Sequence, residues 1–259
     1  MPTAQSRWIT IAALAALGIL CLALRSDAIP TGRAHLSMRM KALPRRTLWV
    51  WERPEDLRAI DPATTAIAWL DQTVELGWDV VSVPRRQSFS YPAEAARIAV
   101  VRIEAPPGIK LDVAQQHQAV DLLLQSANQP GIAAFQVDFD ATRSQRAFYA
   151  SLLADLRRQM PASLPLSITA LASWCSSDDW IADLPIDEAV PMLFRMEPDR
   201  IHARAGLPQF QIREPLCMGS VGVSTHEAWP DDMAGKRIYV FPDRGWHQDI
   251  SLLTDRKLP

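Results

Sequence analysis

The chain has 259 residues, 48% of them hydrophobic, and a formal net charge of -2. That is apolar material enough for one sizeable core, and the near-neutral balance excludes the basic face of a nucleic-acid binder. No cofactor is expected, since neither G-x-G-x-x-G nor G-x-x-x-x-G-K-[ST] occurs, and no metal, since the five histidines are dispersed without H-x-H or H-E-x-x-H spacing.

Arg7 precedes the uncharged apolar run from Trp8 to Leu24. A run of that length suits a short membrane span or a signal h-region, so residues 1–28 are predicted to be a signal peptide or membrane anchor. The expected location is the periplasm, with the inner membrane as a partner through this segment. Arg33, Arg39, Lys41, Arg45 and Arg46 follow the run and oppose translocation under the positive-inside rule. The short N-terminal tail and the large following domain favour it. Residues 29–43 read as a linker and residues 44–259 as one domain.

From Thr47 onward strand and helix signals alternate. Short apolar runs predict strands at Leu48–Trp51, Ala66–Leu70, Ile98–Ile103, Ala133–Asp138, Leu166–Ala170, Glu188–Leu193, Leu216–Ser220 and Arg237–Phe241. Asp112 caps a predicted helix through Val113, Val120 and Leu124. Ser144 caps another in which Phe148, Leu152 and Leu156 recur every four residues. Ser176-Ser177-Asp178-Asp179 starts a short third helix, and Pro54–Ile60 and Pro198–Ala205 are shorter helical segments. Gln72–Leu76, Gly77-Trp78 and Val80–Val83 read as a hairpin insertion. The leading fold class is α/β, a small (β/α)8 TIM-type barrel; an open doubly wound sheet is the alternative.

Phe135–Ala141 carries most of the functional information. Alternation along a strand sets Phe135, Val137 and Phe139 on one face and Gln136, Asp138 and Asp140 on the other. Buried acids on an apolar strand need pairing or use. In a barrel the strand C-termini meet on one face, which would gather Glu52, Glu104, Asp138, Asp140, Trp174, Arg195, Asp243 and Trp246. Acids and arginines among indole rings suit a saccharide, because aromatic faces stack on sugar rings and charged forks bind hydroxyls. Asp140, Glu104 and Asp138 are the candidate catalytic residues. Glu52, Trp174, Arg195, Asp243 and Trp246 are candidate substrate-binding residues. Asp138 is alternatively readable as a structural partner of Arg102 or Arg195. Cys175 and Cys217 show no metal spacing and are expected to be buried free thiols, with a disulfide as the alternative.

Leu48–Arg53, Val101–Glu104, Val137–Ala141 and Leu166–Cys175 resemble the bacterial domain of unknown function family 3142, over most of residues 44–246. The resemblance implies a glycosidase-like barrel with an export or lipoprotein signal. Val137-Asp138-Phe139-Asp140 also resembles, more distantly, the Asp-Gly-x-Asp-x-Asp-x-Glu strand of family 18 glycosidases. The alignment sets Phe135 at the first Asp and Thr142 at the general-acid Glu, and Met192–Arg195 at a later Met-x-Tyr-Asp/Asn motif. Substrate-assisted chitin hydrolysis therefore lacks its acid. The expected function is an exported glycosidase-like protein acting on or binding an envelope or extracellular polysaccharide. The alternatives are a non-catalytic carbohydrate binder and an envelope scaffold.

Overall fold

Eight parallel strands close into a barrel in the computed structural model, which describes residues 37–178, 180–194, 211–231 and 233–254. The strands are β1 (Arg46–Val50), β2 (Glu55–Asp56), β3 (Thr65–Leu76), β4 (Val80–Pro84), β5 (Phe89–Ser90), β6 (Arg97–Glu104), β7 (Ala134–Asp138), β8 (Leu166–Leu171), β9 (Glu188–Met192), β10 (Ser220–Ser224) and β11 (Arg237–Phe241). Their order around the barrel is β1-β11-β10-β9-β8-β7-β6-β3, and β3 pairs with β1 to close it. This is TIM-type geometry and it overturns the open-sheet alternative. β4 runs antiparallel to β3 as the expected hairpin, and β2 pairs with β5 as a small separate sheet.

Alternation gives each strand an outer and an inner face. Leu48, Val50, Val101, Phe135, Val137, Ile168, Val221 and Ile238 build the core between the barrel and the elements outside it. Trp49, Ala68, Ile98, Val100, Val190, Tyr239 and Phe241 fill the interior. The helices are α1 (Val113–Ala127), α2 (Arg146–Gln159), α3 (Ala172–Ser176), α4 (Trp246–Asp249) and α5 (Ser251–Thr254). Asp112 and Gln115 form a capping box at the start of α1, which satisfies two backbone donors that a helix start leaves open. α2 starts at Arg146, after a 3-10 turn over Arg143–Gln145 with Thr142 and Gln145 in a capping box, so Ser144 is not its cap. The third predicted helix also moves: α3 ends at Ser176, where that helix was expected to start. Among the described residues, no helix is long and apolar enough to cross a membrane.

The N-terminal end of the barrel is filled by polar groups and by the segment before β1. Met40 and Leu43 are buried in the inner cluster, so this part of the segment packs against the barrel. Arg237, 1% exposed, donates to the carbonyls of Met40 and Pro44 and contacts Glu188 Oε1 at 3.4 Å. Glu188 Oε2 accepts from the Tyr239 hydroxyl at 2.7 Å and from Ser167 Oγ at 3.1 Å, and Gln136 Nε2 donates to Ser167 Oγ at 2.9 Å. Burial pushes the Tyr239 phenol well above its usual range, reinforced by the Glu188 charge, so Tyr239 stays a neutral donor.

Cys175 and Cys217 form a disulfide with Cα atoms 5.8 Å apart, which corrects the free-thiol expectation. It ties α3 to the 3-10 turn Pro215–Cys217 across 42 residues of sequence. Closing a loop of that size restricts the unfolded chain. Replacing both cysteines with serine is expected to lower unfolding stability by about 2–4 kcal/mol in chemical denaturation, and reductant should reproduce the loss in the parent chain but not in the double variant.

Candidate functional site at the barrel mouth

Arg102 organises the C-terminal mouth. It lies on the inner face of β6, level in register with Asp138 at the end of β7. Its Nη1 donates to Asp138 Oδ2 at 2.7 Å and its Nε to Glu104 Oε1 at 2.9 Å, while Nη2 approaches Asp140 Oδ2 at 3.9 Å. The second Asp138 oxygen accepts from Thr169 Oγ1 of β8 at 2.6 Å. Strand pairing thus brings the three predicted acids onto one guanidinium. The cation lies among the carboxylates where a divalent ion would otherwise be needed to relieve their repulsion.

The three acids differ in their surroundings. Asp138 is 2% exposed and locked by Arg102 and Thr169, so it holds the guanidinium in place. Asp140 and Glu104 have side chains about half exposed, at 48% and 54%. Burial pushes the Asp140 carboxyl up, the Asp138 charge adds to the rise, and Arg102 opposes it. Arg102 is held above its ordinary range because the charges of Asp138 and Asp140 and the hydrogen bonds to Glu104 and Asp138 outweigh its desolvation, the largest single influence. Replacing Asp138 with Asn leaves Arg102 without its buried partner. An expected loss of about 2 kcal/mol in thermal or chemical unfolding follows, at the low end for a buried pair because Arg102 keeps some solvent and two other carboxylates.

Opposite this cluster the mouth is aromatic. Phe241 of β11 stacks on Trp49 of β1 with centroids 4.6 Å apart, and half-buried Trp51 and Phe194 lean on Phe241 at 6.2 and 4.7 Å. Gly222 of β10 makes room for this floor, since a Cβ there would lie 3.1 Å from the Phe241 ring.

Other predicted site residues have structural roles. Trp174 is 1% exposed and packs edge-on against Trp180 in the outer core. Trp246 is fully buried, its indole donating to the Trp49 carbonyl at 2.8 Å. Neither indole offers a face to a ligand, which corrects their assignment to the mouth: both sit on short helices that turn their rings into the outer layer. Glu52 Oε1 accepts from the backbone amides of Arg86 and Gln87 at 2.9 and 2.8 Å and fastens the segment after β4 to the end of β1. Asp243 is exposed; its carbonyl accepts from Arg53 Nη1 at 3.1 Å and its amide bonds to Asp249 Oδ2 at 2.9 Å. Arg195 lies outside the described residues.

Two residues at the mouth end escaped the sequence reading. The register shift between Leu70 and Gln72 reverses the face parity of β3, so that Gln72, Val74 and Leu76 turn outward and Thr73 and Glu75 continue the inner face. Glu75 pairs in register with Glu104, which adds a further carboxylate to the rim. Asp249, 1% exposed, clasps the loops after β10 and β11. It accepts from Thr225 Oγ1 at 2.6 Å and from the amides of Asp243 and Arg244, and His226 Nε2 lies 3.0 Å away. Burial pushes its carboxyl up, but these hydrogen bonds together outweigh burial and hold it below the usual range. A single carboxylate within a Trp-His-Gln-Asp stretch gave no periodic signal for this clasp.

A depression of about 320 Å³ lined by Ala127, Gln129, Pro161 and Leu164 lies at the other end of the barrel and carries no titratable group.

The structure is similar to the Bacillus cereus spore cortex-lytic enzyme SleL, at 17% identity and a TM-score of 0.40, over 57% of this chain and 41% of that one. It is also similar to the chitinase domain of the spore coat protein CotE from Clostridium difficile, at 13% identity and a TM-score of 0.41, over 61% of this chain and 52% of that one. The chain thus spans about half the length of these structures or less. No curated protein matches it. Residues 94–196, which carry Arg102, Glu104, Asp138, Asp140 and Thr169, match the model of a family described as Domain of unknown function (DUF3142).

Proposed function

We propose that the chain is a glycosidase-like protein that binds a polysaccharide at the barrel mouth and cleaves it there. One observation carries this reading: a half-exposed acid with a raised pKa and a second carboxylate share Arg102, facing an aromatic floor. Asp140 in its protonated form gives its proton to the glycosidic oxygen as the bond to the anomeric carbon breaks. Glu104 is the second carboxylate, taking a proton from the attacking water or adding to the anomeric carbon. Because oxygens of both acids lie against one guanidinium, they fall within the separation of up to about 9.5 Å that paired-carboxylate glycosidases use. Trp51 and Phe194 supply faces for a sugar ring. With Glu104, Asp138 and Asp140 around one arginine and Glu75 level with Glu104 on the next strand, the rim favours neutral or amino sugars over uronic-acid chains.

The proposed location is the periplasm, with residues 1–28 as signal or anchor. The disulfide supports an oxidising compartment, because such bonds rarely persist in the reducing cytosol. A second reading, saccharide binding without turnover, is favoured by the engagement of all three acids by Arg102. The test is calorimetric titration of the full chain with neutral, amino-sugar and uronic-acid oligosaccharides, followed by product analysis for those that bind. Binding of neutral or amino-sugar oligomers is the expected result. Failure to bind any of the three classes removes the reading, and binding without products leaves the second reading in its place.

A further inference from the structure

The hairpin of β3 and β4 stands beside the mouth as a wall. Its outer face is covered by α1: Gln72 Nε2 donates to the Leu122 carbonyl at 2.9 Å and to Ser126 Oγ at 2.7 Å, and Val74 and Leu76 are fully buried. The opposite face carries Thr73 and Glu75 on β3 and, directly paired with them, Val83 and Val81 on β4. Val81 is 46% exposed. Glu75 aligns with Glu104, so this face continues the inner surface of the mouth past the end of β6. At its tip, in the three-residue turn between Leu76 and Val80, stands Trp78.

Trp78 is fully exposed, at 101%, on a turn that is itself well held. The Gly77 amide donates to the Asp79 carbonyl at 3.1 Å, and Gln115 Nε2 of α1 donates to the Gly77 carbonyl at 2.8 Å. The α1 residue Val113, two positions from that tether, is 64% exposed. An isolated exposed apolar residue needs no explanation, but a fully exposed indole on the turn of a braced hairpin, whose mouth-side face also carries exposed Val81, offers a surface for contact. The fold gains nothing from it, whereas covering a ring of that size would stabilise a complex.

We infer that Trp78 is a distal stacking platform for the same saccharide, holding sugar units beyond those at the Arg102 cluster. This rests on the reading of the mouth as a saccharide site. Two observations select the occupant. The wall is continuous with the acid rim through the Glu75–Glu104 pairing, so a chain leaving the mouth runs along Glu75 and Val81 toward the indole. The charges nearest in sequence to the tip and to the Gln115 residue that tethers it are Glu75, Asp79 and Asp112 against Lys110. That balance repels an anionic membrane surface and suits a neutral or amino-sugar chain.

The platform is tested with glucosamine and N-acetylglucosamine oligomers of two and six units, titrated into the full chain and into Trp78→Ala. The expected result is tighter binding of a hexamer than of the matching dimer by the parent chain, a loss of about tenfold on the hexamer in Trp78→Ala, and no change on the dimer. The melting temperature stays the same, because the ring touches no core, and Trp78→Tyr restores most of the hexamer affinity. Equal hexamer affinity in parent and Trp78→Ala overturns the platform while leaving the mouth as a binding site. Equal loss on dimer and hexamer also overturns it, since a distal subsite acts only on long chains. If the parent binds none of the four oligomers, both the platform and the saccharide reading of the mouth fall. Reduced retention of Trp78→Ala on phosphatidylglycerol vesicles, with hexamer affinity intact, makes the tip a membrane contact and overturns the inference.

Discussion

Replacing Glu188 with Ala is expected to lower unfolding stability by about 3–5 kcal/mol. Glu188 and Arg237 are each 1% exposed, and the carboxylate also receives Tyr239 and Ser167. Removing it leaves a guanidinium buried without a counter-charge and strips the partner from a buried phenol. The two Arg237 bonds to the Met40 and Pro44 carbonyls remain, yet neutral acceptors do not replace the carboxylate. The damage should reach the segment before β1, because Arg237 is what fastens it. Hydrogen exchange at Met40–Leu43 is therefore expected to speed up with the loss of stability. Pairing Glu188→Leu with Arg237→Met, which removes both charges, should recover much of the loss, since an apolar pair of similar volume often matches a buried ion pair. A single variant as stable as the parent would show that the lower barrel is held by packing alone.

The barrel was legible where a strand buries both faces. Arg237–Phe241 and Leu166–Ala170 have near-continuous apolar runs, and the structure has strands at both. β10 was misplaced by four residues for the opposite reason. Its Ser220, Gly222 and Ser224 are small and polar, while Leu216 and Cys217 just before it are apolar but begin after Pro215 and form a 3-10 turn. The mouth was readable from β6 and β7, because Arg102, Glu104 and Asp138 keep strict alternation there. Glu75 was not, because one irregular pairing step at Asp71 moves every later β3 side chain to the other face, and a bulge has no period. Trp174 and Trp246 follow strands and so read as mouth residues; where a ring points depends on the turn of a helix barely one turn long. The disulfide was invisible as such, since two cysteines 42 apart say nothing of distance until β8 and β10 are neighbours of β9.

The second large effect concerns Asp140. General acids contribute about 10²–10⁴ in rate, so Asp140→Asn, which keeps the shape and loses the proton, is expected to reduce turnover by that factor. Burial and the Asp138 charge raise the folded carboxyl above its unfolded value, so the ionised form is the less comfortable one in the fold. The sign for stability follows. The fold gains from Asp140 as pH falls through the raised pKa and loses that gain above it. Asn should therefore leave the melting temperature at neutral pH unchanged or slightly higher. The sign for catalysis is the same, since the acid acts only while protonated: turnover should fall as pH rises through that pKa. Asp138→Asn behaves differently: it loses stability through Arg102 and, by removing the neighbouring charge, relaxes part of the rise at Asp140, so its turnover should begin to fall at lower pH than the parent's.

The most direct measurement is reducing-end release from a neutral or amino-sugar oligosaccharide that the parent chain binds, followed across pH for the parent and Asp140→Asn alongside their melting temperatures. The account expects parent turnover that declines with rising pH, a variant slower by at least about a hundredfold, and melting curves that coincide. Turnover in Asp140→Asn equal to the parent, or a variant that loses activity only because it melts earlier, would contradict the assignment of Asp140 as the proton donor at the barrel mouth.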